Sequence, residues 1–384
     1  MARILALKAD KVFDGMTIRS GVAVLVEDGR IAGLVPQTEA AASEIMTLPP
    51  GSLLAPGFID VHVNGGGGTL LNDEPTPEGV KAIAAAHRPF GTTGLLPTLI
   101  SDKRDVMRRA LDAVGEALEE NAPGVLGIHL EGPFLNPARR GVHPASHLDV
   151  MRDGDIDLLC SLKGRGRTIV TLAPERVPPG AIRELTGRGV LVCAGHTDAT
   201  AEQIQAAIEE GLAGFTHLYN AMSQLGSRAP GTVGAALNDE GTFAGIIPDG
   251  HHVADLSVRL AYLAKGVERL MIVTDAMSPV GTTMESFPLF GTTILVGEGR
   301  CVTEDGTLAG ALIDMAGAVR HMVRRVGVPL EHALAMASRV PAHFLRLDDE
   351  YGSIAPRKRA NLVALDSNLD VLATWIDGNH RRHA

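Results

Sequence analysis

The chain has 384 residues, 45% hydrophobic and 21% charged, with 44 glycines and 22 prolines, a composition that excludes disorder and suits one large domain with a small accessory. A formal net charge of -10, with aromatics at 3% and no basic stretch interleaved with them, excludes nucleic acid as a partner. Charges at Arg3, Lys8 and Asp10 leave no room for a signal-peptide core and no later run is long enough to span a bilayer, so a membrane is excluded as well.

The first fifty-odd residues read as short strands, Ile4 to Leu7, Val22 to Val26 and Ile31 to Val35, with turn chemistry at Asp14-Gly15 and Asp28-Gly29. From Pro56 the pattern changes to apolar strands alternating with helical stretches, the signature of βα units. Eight strands are predicted: Phe58 to Val63, Gly94 to Leu99, Val125 to Leu130, Thr168 to Leu172, Val190 to Ala194, Gly214 to Thr216, Phe243 to Ile247 and Leu270 to Thr274. Between them lie predicted helices at Thr76 to His87, Asp102 to Glu120, Ala181 to Arg188, Thr200 to Glu210 and Ala254 to Ala264. A hairpin-like stretch, Thr292 to Thr307, precedes helices near Ala311 to Arg325 and Leu330 to Leu345, and short strands return at Asn361 to Leu365 and Val371 to Ile376.

This cadence predicts an α/β chain, a (β/α)8 TIM barrel over residues 56–351, with a small β-sandwich domain built from both termini, 1–55 and 352–384. A doubly wound open sheet is the competing topology. Cys160, Cys193 and Cys301 are odd in number and unrelated in spacing, so they read as buried thiols in a reducing cytoplasm.

In such a barrel the reactive groups gather at the carboxyl ends of the strands. Here those ends read His62-Val63-Asn64, His129-Leu130-Glu131, His196-Thr197-Asp198, Thr216-His217 and Thr274-Asp275. Glu131, His196 and His217 together supply a carboxylate and two imidazoles to one divalent ion and leave a position for water, the pattern of catalytic zinc. Such an ion lowers the pKa of water toward about 7 and polarises a carbonyl. Asp275 is the matching proton carrier. Taken singly, either histidine reads better as a hydrogen-bonded structural residue; it is the set that points to metal. His129 shares a face with Glu131 but lies deeper, as a core-layer residue, and Cys193 reads the same way. His87, His321, His332 and His343 fall in helices, where packing or surface roles are the default.

These residues resemble the N-acetylglucosamine-6-phosphate deacetylase family of the amidohydrolase superfamily. The resemblance runs over nearly the whole chain and is carried by Pro56-Gly-Phe-Ile-Asp-Val-His-Val-Asn-Gly65, His129-Leu-Glu-Gly-Pro-Phe-Leu-Asn136 with Gly141-Val-His143, and Ala194-Gly-His-Thr-Asp-Ala199. It continues through Thr216-His-Leu-Tyr-Asn-Ala-Met222, Asp249-Gly-His-His-Val253 and Val273-Thr-Asp-Ala276. The resemblance implies a cytoplasmic enzyme of amino-sugar catabolism that hydrolyses the acetamide of N-acetyl-D-glucosamine 6-phosphate. It implies Glu131, His196 and His217 as metal ligands, Asp275 as catalytic acid/base, and His143 as a contact near the reacting amide. Asn220, the backbone of Ala221 and His252 match phosphate-binding positions, and Arg228 matches an arginine that reaches the neighbouring active site of a homodimer. Arg with His beside backbone amides is also the chemistry a phosphate needs.

Many members of the superfamily bind a second metal through His-x-His at the end of the first strand, but here the pair is His62 and Asn64, and no lysine stands in Thr168-Ile-Val-Thr-Leu-Ala-Pro174. One metal per subunit is therefore expected, Zn2+ first, with Fe2+, Co2+ or Mn2+ accommodated by the same ligands, and His62 supports at most a weak second site. Rival readings are an N-acetylgalactosamine-6-phosphate deacetylase, a cyclic-amide hydrolase, which the missing lysine disfavours, and a non-catalytic barrel, which the complete site set disfavours.

Overall fold

The computed structural model describes residues 4–383; the first three residues and the last, which belong to the segments expected to form the small domain, lie outside them. Eight parallel strands form the central sheet: β1 (Phe58–Val63), β2 (Thr92–Ile100), β3 (Gly127–Glu131), β4 (Arg167–Leu172), β5 (Leu191–Ala194), β6 (Gly214–Phe215), β7 (Phe243–Ile246) and β8 (Leu270–Ile272). They pair in sequence order, and a parallel bridge between Val63 and Ala276 brings the last strand back beside the first. This is the predicted barrel, with strand ends shifted by a residue or two.

Alternation along the pleat sorts the strand residues into two clusters. Leu96, Ile169, Leu191, Cys193, Met271 and Val273 group together, whereas their neighbours Leu95, Val170, Val192 and Ile272 join a larger cluster with helix residues such as Leu111, Leu185 and Leu334. Those helices start where the sequence supplies caps. Thr76 accepts from the Gly79 amide with Pro77 in the first turn, and Thr200 with Gln203 forms a capping box ahead of Ala201–Glu209.

The termini pair with each other. Leu53–Pro56 lies between Lys11–Phe13 and Leu362–Leu365 in a six-stranded sheet that ends in Val371–Ile376 and Asn379–Arg382. A four-stranded sheet of Ile4–Lys8, Val22–Glu27, Arg30–Pro36 and Glu44–Thr47 packs on it, sharing a core of Leu7, Val24, Val26, Leu54, Leu362 and Trp375, so the two sheets form a sandwich.

Several elements depart from the expectation. The hairpin-like stretch is a four-stranded meander, Ser286–Leu289, Thr292–Gly297, Arg300–Val302 and Leu308–Ala311. The late helix expected from Leu330 breaks at Ser338, whose φ of -135° and ψ of -72° are not helical. Gly231–Asn238 is a helix that its two glycines hide from propensity. Cys193 and Cys301 are buried as expected, but Cys160 is only half-buried, at the end of a short helix. No helix among the described residues is long and apolar enough to cross a membrane.

Candidate metal centre

Glu131 closes β3 and is 3% exposed. His196 and His217 follow β5 and β6, and Asp275 follows β8, each with φ in the left-handed region, at 48°, 36° and 54°. Such backbone costs about 1–3 kcal/mol per non-glycine residue and persists where the surroundings over-determine it. Here they do. The Asn136 amide donates to the His196 carbonyl at 2.9 Å, the Asn220 amide to the His217 carbonyl at 2.9 Å, and the Asp275 amide to the His62 carbonyl at 2.9 Å.

The three side chains predicted to share an ion converge. His217 Nε2 lies 3.0 Å from both Glu131 Oε1 and His196 Nε2, and His196 Nε2 is 3.3 Å from the same oxygen. His196 Nδ1 faces the Arg139 carbonyl at 2.8 Å and must carry the ring proton, so its Nε2 presents a lone pair to the Glu131 carboxylate. Acceptors facing acceptors at this spacing repel one another unless positive charge lies between them, and the donor set fits a divalent cation. His62, buried beneath, sits 3.1 Å from Asp275 Oδ1 and 3.3 Å from Glu131 Oε2, yet its Nε2 makes no aligned hydrogen bond among the described residues. With Glu131 and Asp275 it forms a second group of potential ligands, and His143 joins Glu131 and His196.

The electrostatics have the same sense. Burial alone pulls His62 down, but the carboxylates of Glu131 and Asp275 outweigh it and push the imidazole up to about 9. Desolvation resists charge on Glu131, while the surrounding imidazoles of His62, His196 and His217 hold its pKa well below the usual carboxylate range. Desolvation drives His129 down to about 3 and lowers His143 and His217. His129 is in the core layer, held by the Val61 carbonyl at 3.0 Å and the Thr171 hydroxyl at 2.7 Å.

Glu131, His143, His196, His217, Asn220, Ala221, His252 and Asp275 line one cavity of about 480 Å³. His143 Nδ1 accepts from the Ser101 amide at 3.3 Å, which leaves the proton on Nε2, 3.7 Å from Glu131. His252 Nδ1 is 2.6 Å from Asp249 Oδ2; burial opposes its charge, but that carboxylate raises its pKa. His251 is exposed and does not line the cavity. Arg228 is not brought to this cavity either: it lies on an exposed loop, 224–230.

Sequence reasoning missed several lining residues. Asn64 enters the sequence reading only as the departure from His-x-His, and Ile100, Met277 and the meander residues Gly306, Thr307, Leu308 and Gly310 carry no local signal. A second cavity, of about 380 Å³, lies between the barrel and the terminal sheet and is lined by arginines already in use. Arg359, for instance, bonds Glu350 at 2.8 Å and Asp377 at 2.7 Å.

The model of the Amidohydrolase family matches residues 53–381. The chain is 45% identical to the N-acetylgalactosamine-6-phosphate deacetylase of Shewanella sp. (strain ANA-3), covering 96% of this chain and 93% of that protein. It is 34% identical to the N-acetylglucosamine-6-phosphate deacetylase of Haemophilus influenzae, covering 94% and 95%. Among solved structures it is similar to the N-acetylglucosamine-6-phosphate deacetylase from Pasteurella multocida, with a TM-score of 0.95, 33% identity and coverage of 99% and 100%.

Proposed function

The chain belongs to the amidohydrolase family, and from that premise we propose that it hydrolyses the acetamide of N-acetyl-D-glucosamine 6-phosphate to D-glucosamine 6-phosphate and acetate. The observation that carries this reading is the meeting, in one cavity, of a cation-demanding Glu131, His196 and His217 cluster, the Asp275 carboxylate and the Asn220, Ala221 and His252 group. The 45% identity to a galactosamine deacetylase favours a second reading, the C4 epimer of the same substrate.

Glu131, His196 and His217 would hold one divalent ion, Zn2+ by the chemistry of a carboxylate with two imidazoles, though Fe2+, Co2+ or Mn2+ suit the same set. When bound, the ion supplies Lewis-acid polarisation of the acetamide carbonyl and acidifies water. His62 supports at most a weak second site. Asp275 accepts a proton from the attacking water and returns it to the sugar nitrogen as the C–N bond breaks; the second water proton leaves the new carboxyl group for the amine, so the products are acetate and the ammonium form of the amino sugar. His143, with its proton on Nε2, donates to the substrate near the reacting amide. Asn220, the Ala221 amide and His252 receive the 6-phosphate; the charge Asp249 favours on His252 suits a dianion.

The working unit is a homodimer in which Arg228 reaches the neighbouring cavity. Its loop also exposes Leu225, at 59%, and the Asp255–Lys265 helix exposes Leu256, Leu260 and Leu263 at 71%, 53% and 63%, a stripe at helical spacing that a second copy would cover. Residues 1–55 and 352–384 form one small domain, supported by their shared sandwich core, and 56–351 the catalytic barrel. Free thiols and a phosphorylated substrate favour the cytoplasm.

The test is acetate release from N-acetylglucosamine and N-acetylgalactosamine, each with and without 6-phosphate. Turnover confined to the phosphorylated sugars is expected. Equal turnover of the plain sugars, or none of the four, would sink the reading.

A further inference from the structure

Asn64 stands two residues beyond His62, is 1% exposed and lines the cavity. Its Nδ2 lies 2.6 Å from Asp275 Oδ1 and 3.4 Å from the Asp275 carbonyl oxygen. Both partners are acceptors, so the amide has one orientation, nitrogen toward Asp275 and oxygen away. That leaves Asn64 Oδ1 buried with no hydrogen-bond partner among the described residues. Packing does not call for such a residue, because a leucine fills a similar volume and strands no acceptor.

The amide is carried on a stiff mount. The Gly65 amide donates to the Ala276 carbonyl at 3.0 Å, the Leu71 amide donates to the Asn64 carbonyl at 3.1 Å, and His87 Nε2 lies 2.8 Å from the Gly65 carbonyl. On the opposite side the Asp275 backbone is pinned through His62 and by the Ala311 amide, which donates to the Asp275 carbonyl at 2.8 Å. Asn64 and His62 both address Oδ1 of Asp275, at 2.6 and 3.1 Å, so the other carboxylate oxygen is the one left for the cavity.

We infer that Asn64 is a positioning residue for Asp275: its amide clamps Oδ1, fixing the carboxylate rotamer so that Oδ2 faces the reacting amide. The inference rests on the reading of Asp275 as the proton carrier. It also gives a task to the asparagine that stands where many relatives in the superfamily carry a second metal-binding histidine.

The test measures kcat, KM and metal content for the wild type, Asn64→Leu, Asp275→Asn and the double variant, with N-acetylglucosamine 6-phosphate as substrate. Asn64→Leu should lower kcat about 10²-fold, the scale of a lost reacting geometry. KM and metal content should stay within about twofold, as expected for a residue that acts through Asp275. In the Asp275→Asn background the same change should alter the residual rate by less than about twofold, because the two residues act as a unit. Wild-type kcat, an equal fold loss in both backgrounds, or a loss that follows metal content overturns the inference. Should Asn64→Leu not fold, Asn64→Ala removes the amide without adding bulk and carries the same measurement. Near-normal turnover by Asp275→Asn alone would refute the role of Asp275, an outcome separate from any result at Asn64.

Discussion

Replacing Glu131 with glutamine keeps the shape of the side chain and removes its charge. Four imidazoles surround that carboxylate: His217 at 3.0 Å, His196 and His62 at 3.3 Å and His143 at 3.7 Å. A unit charge pair at about 4 Å is worth about 4 kcal/mol at the effective dielectric of a protein site, and a doubly charged ion in direct contact gains at least that. At about 1.4 kcal/mol per decade, Glu131→Gln should weaken metal binding by at least about 10³-fold. The substituted amide would also donate to His196 or His217 and occupy a lone pair the ion needs. Competition with a chromogenic chelator at neutral pH, with elemental analysis of the dialysed protein, reads this directly. A variant that keeps stoichiometric metal at chelator concentrations that half-strip the wild type would refute the reasoning.

Asp275→Asn should retain its metal and lose about 10²–10⁴-fold in turnover, the range of general acid–base catalysis, and near-normal acetate release would count against it. Arg228→Ala should raise KM for the phosphorylated sugar about 10–100-fold through the loss of one charge-assisted contact, with metal content unchanged; unchanged discrimination between phosphorylated and plain sugar contradicts that. His87 is buried and neutral, and desolvation pulls its pKa from 6.5 to about 4. Above pH 6.5 it is neutral whether the chain is folded or not and contributes no pH dependence. Between 6.5 and about 4 the unfolded chain takes a proton that the folded one refuses, so stability falls with pH by about 3 kcal/mol over that window. His87→Gln should make the acid limb shallower by one proton, measured as urea midpoints at neutral and acidic pH; an unchanged limb would show that another group governs it.

The barrel was legible because its strands are buried on both faces and read as apolar runs, such as Phe58–Val63 and Arg167–Leu172, punctuated by turns and helix caps. The terminal sheets were legible only in part. Lys11–Phe13 and Leu53–Pro56 are too short to show a period; they pair with each other, and Leu53–Pro56 pairs on its other side with Leu362–Leu365, some three hundred residues on. At the candidate metal centre the convergence of Glu131, His196, His217 and Asp275 could be anticipated from their places at strand ends. Their left-handed backbone could not, because positive φ is uncommon for any non-glycine residue, even for His and Asp, and no local signal marks it at these positions. Asn64 stayed hidden for a different reason: its partner lies 211 residues away, and only the closure of β1 against β8 brings the two together.

A single equivalent of metal per chain is what the proposed hydrolysis requires first. Enzyme stripped with chelator should release no acetate from N-acetylglucosamine 6-phosphate, and titration with Zn2+ should restore activity in a straight line that levels off at one ion per chain. Full activity in the stripped enzyme, or a titration that levels off only at two, would contradict it.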